Sequence, residues 1–236
     1  MKSIAFSCVC CLCFFLAEAQ EFGQCKETLK RSFAKMNAIY TDSSDLYLHY
    51  KITNKNASDK SIVSDDIEMY ITKTSFIMKS SVSSYYADQK NAFMVVSRRR
   101  KIYQVDIQPA NKARPDRLVQ FVQSMLDSST ITSCQPLATN LLKVSVVFSG
   151  SKITKGQVKS VDYIIDTSTD QMKECMLYFN DSYSLVYTSY KFVEVKQSTV
   201  PASFASPVKA IFLNENNTLK PAYTGYTYQD LRQKKN

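Results

Sequence analysis

Leu185-Val186-Tyr187-Thr188-Ser189-Tyr190-Lys191-Phe192-Val193-Glu194-Val195 is the stretch whose reading decides the fold. Its residues read with a period of two, as in a strand. Leu185, Tyr187, Val193 and Val195 fall on one side, and Val186, Tyr190 and Phe192 on the other. A strand apolar on both sides is expected to be covered on both sides. The same period runs back through the chain. Cys175, Leu177 and Phe179 precede a turn at Asn180-Asp181-Ser182; Val161, Tyr163 and Ile165 precede a turn at Asp166 to Asp170; Leu142, Val144, Val146 and Phe148 form an earlier strand.

The first half of the chain repeats the pattern. Leu46, Leu48, Tyr50 and Ile52 alternate with Tyr47, His49 and Lys51, and Lys55 to Lys60 is a polar turn. Further strands carry Ile67, Met69 and Ile71, then Phe76 and Met78, then Ser83 to Ala87, then Ala92 to Val96. Arg98-Arg99-Arg100 reads as a solvated hairpin tip before Tyr103, Val105 and Ile107. The period changes to that of a helix in two places. Cys25, Leu29, Ser32, Phe33, Met36 and Tyr40 make one stripe, and Leu118, Phe121, Val122 and Met125 a second, after a loop from Pro109 to Pro115. The expected fold is mainly β with helices: an unclosed, highly curved antiparallel sheet of about ten strands, with helices over its concave face. It forms a single domain over 20–213, and the polar, basic segment 214–236 is read as a loosely held tail.

The N-terminus places the chain. Lys2 is followed by an uncharged apolar run from Ile4 to Leu16, and Ala17-Glu18-Ala19 offers the small-x-small cleavage pattern. Residues 1–19 therefore read as a secretory signal peptide, with a mature start at Gln20 and a periplasmic or secreted product. An uncut anchor and lipidation at one of Cys8, Cys10, Cys11 and Cys13 rank behind that reading. No later stretch is apolar enough to cross a membrane as a helix. Cleavage leaves Cys25, Cys134 and Cys175 without metal-ligand spacing. Cys134 and Cys175 fall in strand-like stretches and are the expected disulfide pair; the alternative is three reduced, buried thiols.

Little in the sequence points to catalysis. His49 is the only histidine, four glycines leave no Gly-rich phosphate loop, and no nucleophile-elbow, zinc-protease or Walker pattern occurs. The expectation is a non-enzyme with no catalytic residue, metal or cofactor. The net charge of +9 suits anionic partners, but an exported chain rarely meets nucleic acid. Asn56-Ala57-Ser58, Asn180-Asp181-Ser182 and Asn216-Asn217-Thr218 fit the N-glycosylation pattern.

The order of elements resembles the periplasmic outer-membrane lipoprotein carriers, the LolA/LolB-like family. Phe76-Ile77-Met78 stands where the family has an aromatic-x-aromatic strand, and Asp88-Gln89-Lys90-Asn91-Ala92-Phe93 where it has an Asp-Gly-Lys turn before an aromatic. A Pro-led helix segment at Pro115 to Leu126, Ile165-Asp166-Thr167, and Phe204 with Pro207 match further elements over roughly Gln24 to Pro207. The family's Arg-Pro after the second strand is replaced by Ile71-Thr72-Lys73-Thr74, and lysine lacks the planar fork of arginine.

The resemblance implies an unclosed barrel with a helical lid over a lipid site. The expected ligand-binding residues are Leu29, Phe33 and Phe121 on the helices and Met69, Ile71, Phe76, Met78 and Phe93 on the sheet. Their chemistry suits an acyl chain, which is held by buried area rather than by directed bonds. Two readings follow. One is a non-enzymatic carrier of lipid or lipidated protein, with envelope proteins as further partners. The other is an exported structural or adaptor domain that binds protein or glycan through a basic, tyrosine-rich surface.

Overall fold

A computed structural model of the chain describes residues 22–36, 38, 45–72, 74–107, 129–148, 158–197 and 207–232. The expected helix at Leu118 to Met125 and the proposed signal peptide lie outside the described residues. Among those described, twelve strands dominate: β1 (Leu46–Asn56), β2 (Ile62–Ile71), β3 (Ser75–Lys79), β4 (Ser84–Asp88), β5 (Ala92–Val96), β6 (Lys101–Val105), β7 (Ser129–Ala138), β8 (Leu141–Phe148), β9 (Val158–Asp166), β10 (Gln171–Phe179), β11 (Leu185–Gln197) and β12 (Thr227–Asp230). Residues 22–36 form helix α1, and Val208–Phe212 a short helix α2. The chain groups into two compact units, with β1 and β11 contributing residues to both.

The first unit comprises Met1–Met36, Asn54–Ser61 and Val122–Ser189. Its strand order runs from the end of β1 and the beginning of β11 through β10, β9 and β8 to β7. β7–β8, β8–β9 and β9–β10 are antiparallel. Val144, Val146, Phe148, Val161, Tyr163 and Ile165 are buried as the sequence alternation marked, and Met172, which it did not mark, is buried with them. β7 itself carries Ser, Thr, Gln and Pro, so no apolar alternation bounds it in the sequence.

Cys25, Leu29, Ser32 and Phe33 of α1 are buried, while Lys26, Glu27 and Arg31 are exposed, the one-stripe helix expected. The Phe33 ring meets Tyr163 edge-on, with centroids 5.4 Å apart. Arg31 Nε donates to Asp170 Oδ1 at 3.2 Å, and Lys35 Nζ donates to the Thr169 carbonyl at 2.6 Å. Both partners sit in the β9–β10 turn, where Asp170 takes a left-handed φ of 51°. A disulfide joins Cys25 to Cys134, with Cα atoms 6.4 Å apart, and Cys175 is free.

The expected Cys134–Cys175 pairing is therefore corrected. Cys134 lies on β7 and Cys175 on β10, with β8 and β9 between them. Three inter-strand spacings are about 14 Å, beyond the reach of a disulfide.

The second unit comprises Asn37–Thr53, Ile62–Phe121 and Tyr190–Asn236. Its strand order is β12-β6-β5-β4-β3-β2, then the first part of β1 and the second part of β11. From β2 to β6 each neighbouring pair is antiparallel. β12 joins β6 in parallel, pairing Tyr228 with Ile102 and Asp230 with Gln104. This parallel pair is the exception in a predominantly antiparallel sheet. The loosely held tail is corrected: Leu213 bridges Leu219, Pro221–Tyr223 makes a 3-10 turn, and β12 follows. The tail is held because Leu213 joins Phe93, Val95, Ile102, Val208 and Phe212 in one buried cluster, with Tyr223, Tyr226 and Tyr228 against it. The polar residues around these apolar ones hid the anchor in the sequence.

β11 departs from its expected two-sided cover. Val186 and Val193 are exposed, whereas Thr188 and Ser189 are buried. Both buried hydroxyls are satisfied: Thr188 Oγ1 donates to Asn54 Oδ1 and Ser189 Oγ donates to Glu174 Oε1, each at 2.7 Å. A paired hydroxyl removes the cost of burying it, so the strand can turn its small polar residues inward.

Candidate functional site

The register of the second unit sorts the expected site residues by face. Cross-strand partners point to the same side, and successive residues to opposite sides. Met69 pairs with Met78 and Ile71 with Phe76. Phe76 then pairs with Ala87, and Met78 with Tyr85. Tyr85 pairs with Met94, and Met94 with Tyr103. One face thus carries Met69, Ile71, Phe76, Met78, Tyr85, Met94 and Tyr103, all half-buried. Tyr50 extends it: its hydroxyl donates to Met69 Sδ at 3.3 Å, and its ring lies 6.0 Å from Tyr190 and 6.3 Å from Phe192.

Phe93 belongs to the other face. It pairs with Tyr86, which pairs with Ile77. That side is closed. Phe93 has no exposed surface, and its ring lies 5.0 Å from Phe212 of α2 and 6.5 Å from Tyr228. Val208 N–H, at the start of α2, donates to Asp88 Oδ2 at 2.8 Å, which fixes the helix over β4 and β5. Burial raises the Tyr86 phenol above its ordinary range. The structure therefore brings Met69, Ile71, Phe76 and Met78 together and places Phe93 in a sealed core on the opposite side. The aromatic after the Asp88 turn belongs to that core, a role that sequence alternation alone does not separate from ligand contact.

Leu29 and Phe33 lie in the first unit, one turn apart on α1. Phe33 is occupied by Tyr163. Leu29 forms part of the floor of a cleft of about 330 Å³ between α1 and the start of β7, with Phe22, Lys26, Lys30, Thr130 and Ile131 among its lining. Phe121 lies outside the described residues.

Among the described residues the polar side chains form separate small groups. His49 Nε2 sits 3.6 Å from Asp66 Oδ1. Asp162 takes Lys143 Nζ at 2.8 Å and the Tyr178 hydroxyl at 3.1 Å. Burial, then the Asp162 charge, pushes the Tyr178 phenol up to about 12. Burial likewise pushes the Cys175 thiol up to about 12, away from nucleophilic use. Among the described residues no group of three or more His, Cys, Asp and Glu is placed to hold a metal ion. No described helix is long and apolar enough to cross a membrane.

No family model and no curated protein matches the chain. Solved structures do resemble it. A LolA superfamily protein from Nitrosomonas europaea is 7% identical with a TM-score of 0.35, covering 76% of this chain and 96% of that one. The lipoprotein LppX of Mycobacterium tuberculosis is 9% identical with a TM-score of 0.42, covering 72% of this chain and 97% of that one. An uncharacterized conserved protein from Thermus thermophilus is 9% identical with a TM-score of 0.43, covering 89% of this chain and 99% of that one. The family resembled in the sequence thus recurs among the structural neighbours. At these scores and identities, no residue role passes from them to this chain.

Proposed function

We propose that the protein is an exported, non-enzymatic carrier that holds a single acyl chain, of a lipid or of a lipidated protein, on the methionine-rich face of its second unit. In this reading the signal peptide is cut before Gln20. One observation carries it: the face of Met69, Ile71, Phe76, Met78, Tyr85 and Met94 is only half-buried, while the opposite face is sealed by α2 and the segment after it. Each methylene buried there contributes about 0.8 kcal/mol. Thioether side chains re-pack around a flexible chain at little cost. Phe121, on the segment expected to cover the site, remains a candidate contact by sequence alone.

Met78→Glu is the test, because a carboxylate on that face loses hydration when an acyl chain covers it. Retention of a fluorescent fatty acid is expected to fall at least about tenfold, a difference of about 1.4 kcal/mol, while circular dichroism is unchanged. Equal retention by the folded variant, or no retention by the parent, overturns the carrier reading in favour of an adaptor domain. Phe93→Glu is unsuitable, since it places a charge in the sealed core and reports on folding.

A further inference from the structure

We infer that Asn216 is an N-glycosylation site and that Asn56 and Asn180 are not. The inference rests on the export reading, since the modification belongs to the secretory route. The three sequence triplets are equivalent on paper, and their surroundings differ. Asn56 ends β1 half-buried; its Nδ2 donates to Ser61 Oγ at 2.8 Å and its N–H to the Ser61 carbonyl at 2.9 Å. Its carboxamide thereby pins the β1–β2 turn. Asn180 is half-buried at the β10–β11 turn, between residues whose rings, Phe179 and Tyr183, stack 4.6 Å apart. A glycan at either position would displace packing that closes a turn.

Asn216 is exposed, at the tip of the 214–218 loop. The loop's own hub is Asn214. Its Oδ1 accepts from Asn216 N–H at 3.1 Å and Thr218 N–H at 3.0 Å, and its Nδ2 donates to Thr218 Oγ1 at 2.6 Å. Asn214 therefore shapes the turn, and among the described residues no hydrogen bond uses the Asn216 carboxamide. The loop directly follows α2, which lies on the sealed Phe93 face, so a glycan there leaves the Met78 face of the same unit uncovered. The donor is a polyprenyl-pyrophosphate-linked oligosaccharide. A bond forms between Asn216 Nδ2 and the anomeric carbon, the bond from that carbon to the pyrophosphate oxygen breaks, and the amide nitrogen loses one proton.

The test expresses the full chain in a eukaryotic secretory cell line, once with its own leader and once with a proven leader fused before Gln20. Peptide-N-glycosidase treatment converts a glycosylated Asn to Asp, which peptide mass spectrometry maps. The expected result is conversion at Asn216 alone, a mobility shift lost in Asn216→Gln and Thr218→Ala, and one kept in Asn56→Gln and Asn180→Gln. Modification only with the added leader upholds the site and overturns the export reading. Secreted chain unmodified at Asn216, or modified instead at Asn56 or Asn180, overturns the site.

Discussion

The Tyr228 hydroxyl donates to Gln104 Oε1 at 2.6 Å across 124 positions of sequence, and Gln104 Nε2 in turn donates to Asn91 Oδ1 at 3.1 Å. Gln104 is a buried amide on β6, and Tyr228 sits on the C-terminal strand β12. The segment beyond Thr224 thus supplies the donor that makes burial of Gln104 tolerable.

Tyr228→Phe should destabilise the protein by about 1–3 kcal/mol, since it leaves a buried acceptor without a donor. Gln104→Leu together with Tyr228→Phe should recover only part of that loss, because the buried Gln104 acceptor is gone while Asn91 Oδ1 loses its donor. Urea unfolding of the three chains checks this. An unaffected Tyr228→Phe would mean that the hydroxyl bond to Gln104 adds nothing to the fold.

The Cys25–Cys134 bond closes a separation of 109 residues. Chain-entropy reasoning for a loop of that length gives roughly 4–5 kcal/mol, and engineered or removed bonds commonly deliver less. Replacing both cysteines by Ala, or unfolding in the presence of reductant, should lower stability by about 2–4 kcal/mol. Cys175→Ala should leave the bond intact in a non-reducing peptide map. A map that finds Cys175 disulfide-linked contradicts the pairing.

Phe93 and Phe212 form the centre of the second unit's sealed core, both at 1% exposure or less. Phe93→Ala and Phe212→Ala should each cost about 3–5 kcal/mol. Because the rings touch, the double variant should cost less than the two losses added. Full additivity in a double-mutant cycle would show that the pair does not share one cavity.

What was legible follows from local pattern. Ala92 to Val96 is a short, wholly apolar run and is β5 as read, and the Arg98 to Arg100 tip is an exposed 3-10 turn ending in a left-handed Arg100 with φ of 48°. The α1 stripe of Cys25, Leu29 and Phe33 is likewise buried as its period requires. Alternation says which residues share a side along one strand. It does not say how strands pair, and pairing puts Phe93 opposite Phe76. The same gap explains the cysteines, whose distance depends on β8 and β9 lying between two strands. The order of segment 214–232 escaped notice because its anchors, Leu213, Leu219 and Tyr228, are single residues without a period.

Tyr178 provides the last expectation, a pH dependence. Its hydroxyl faces Asp162 Oδ2 at 3.1 Å, and burial followed by that charge raises its pKa from 10.0 to about 12. Lys143 Nζ pairs with the same carboxylate at 2.8 Å. The folded pKa lies above the unfolded one, so folding favours the protonated phenol. Its stabilisation is complete below about pH 10 and is lost as pH rises toward 12. In an ultraviolet tyrosinate titration, Tyr178→Phe should remove one late-ionising phenol. Asp162→Asn should move that phenol to lower pH without returning it fully to 10, since burial, the larger cause, remains. A Tyr178→Phe titration that loses its amplitude near pH 10 instead of near pH 12 would show that Tyr178 ionises with the exposed tyrosines, and that the carboxylate does not act on it.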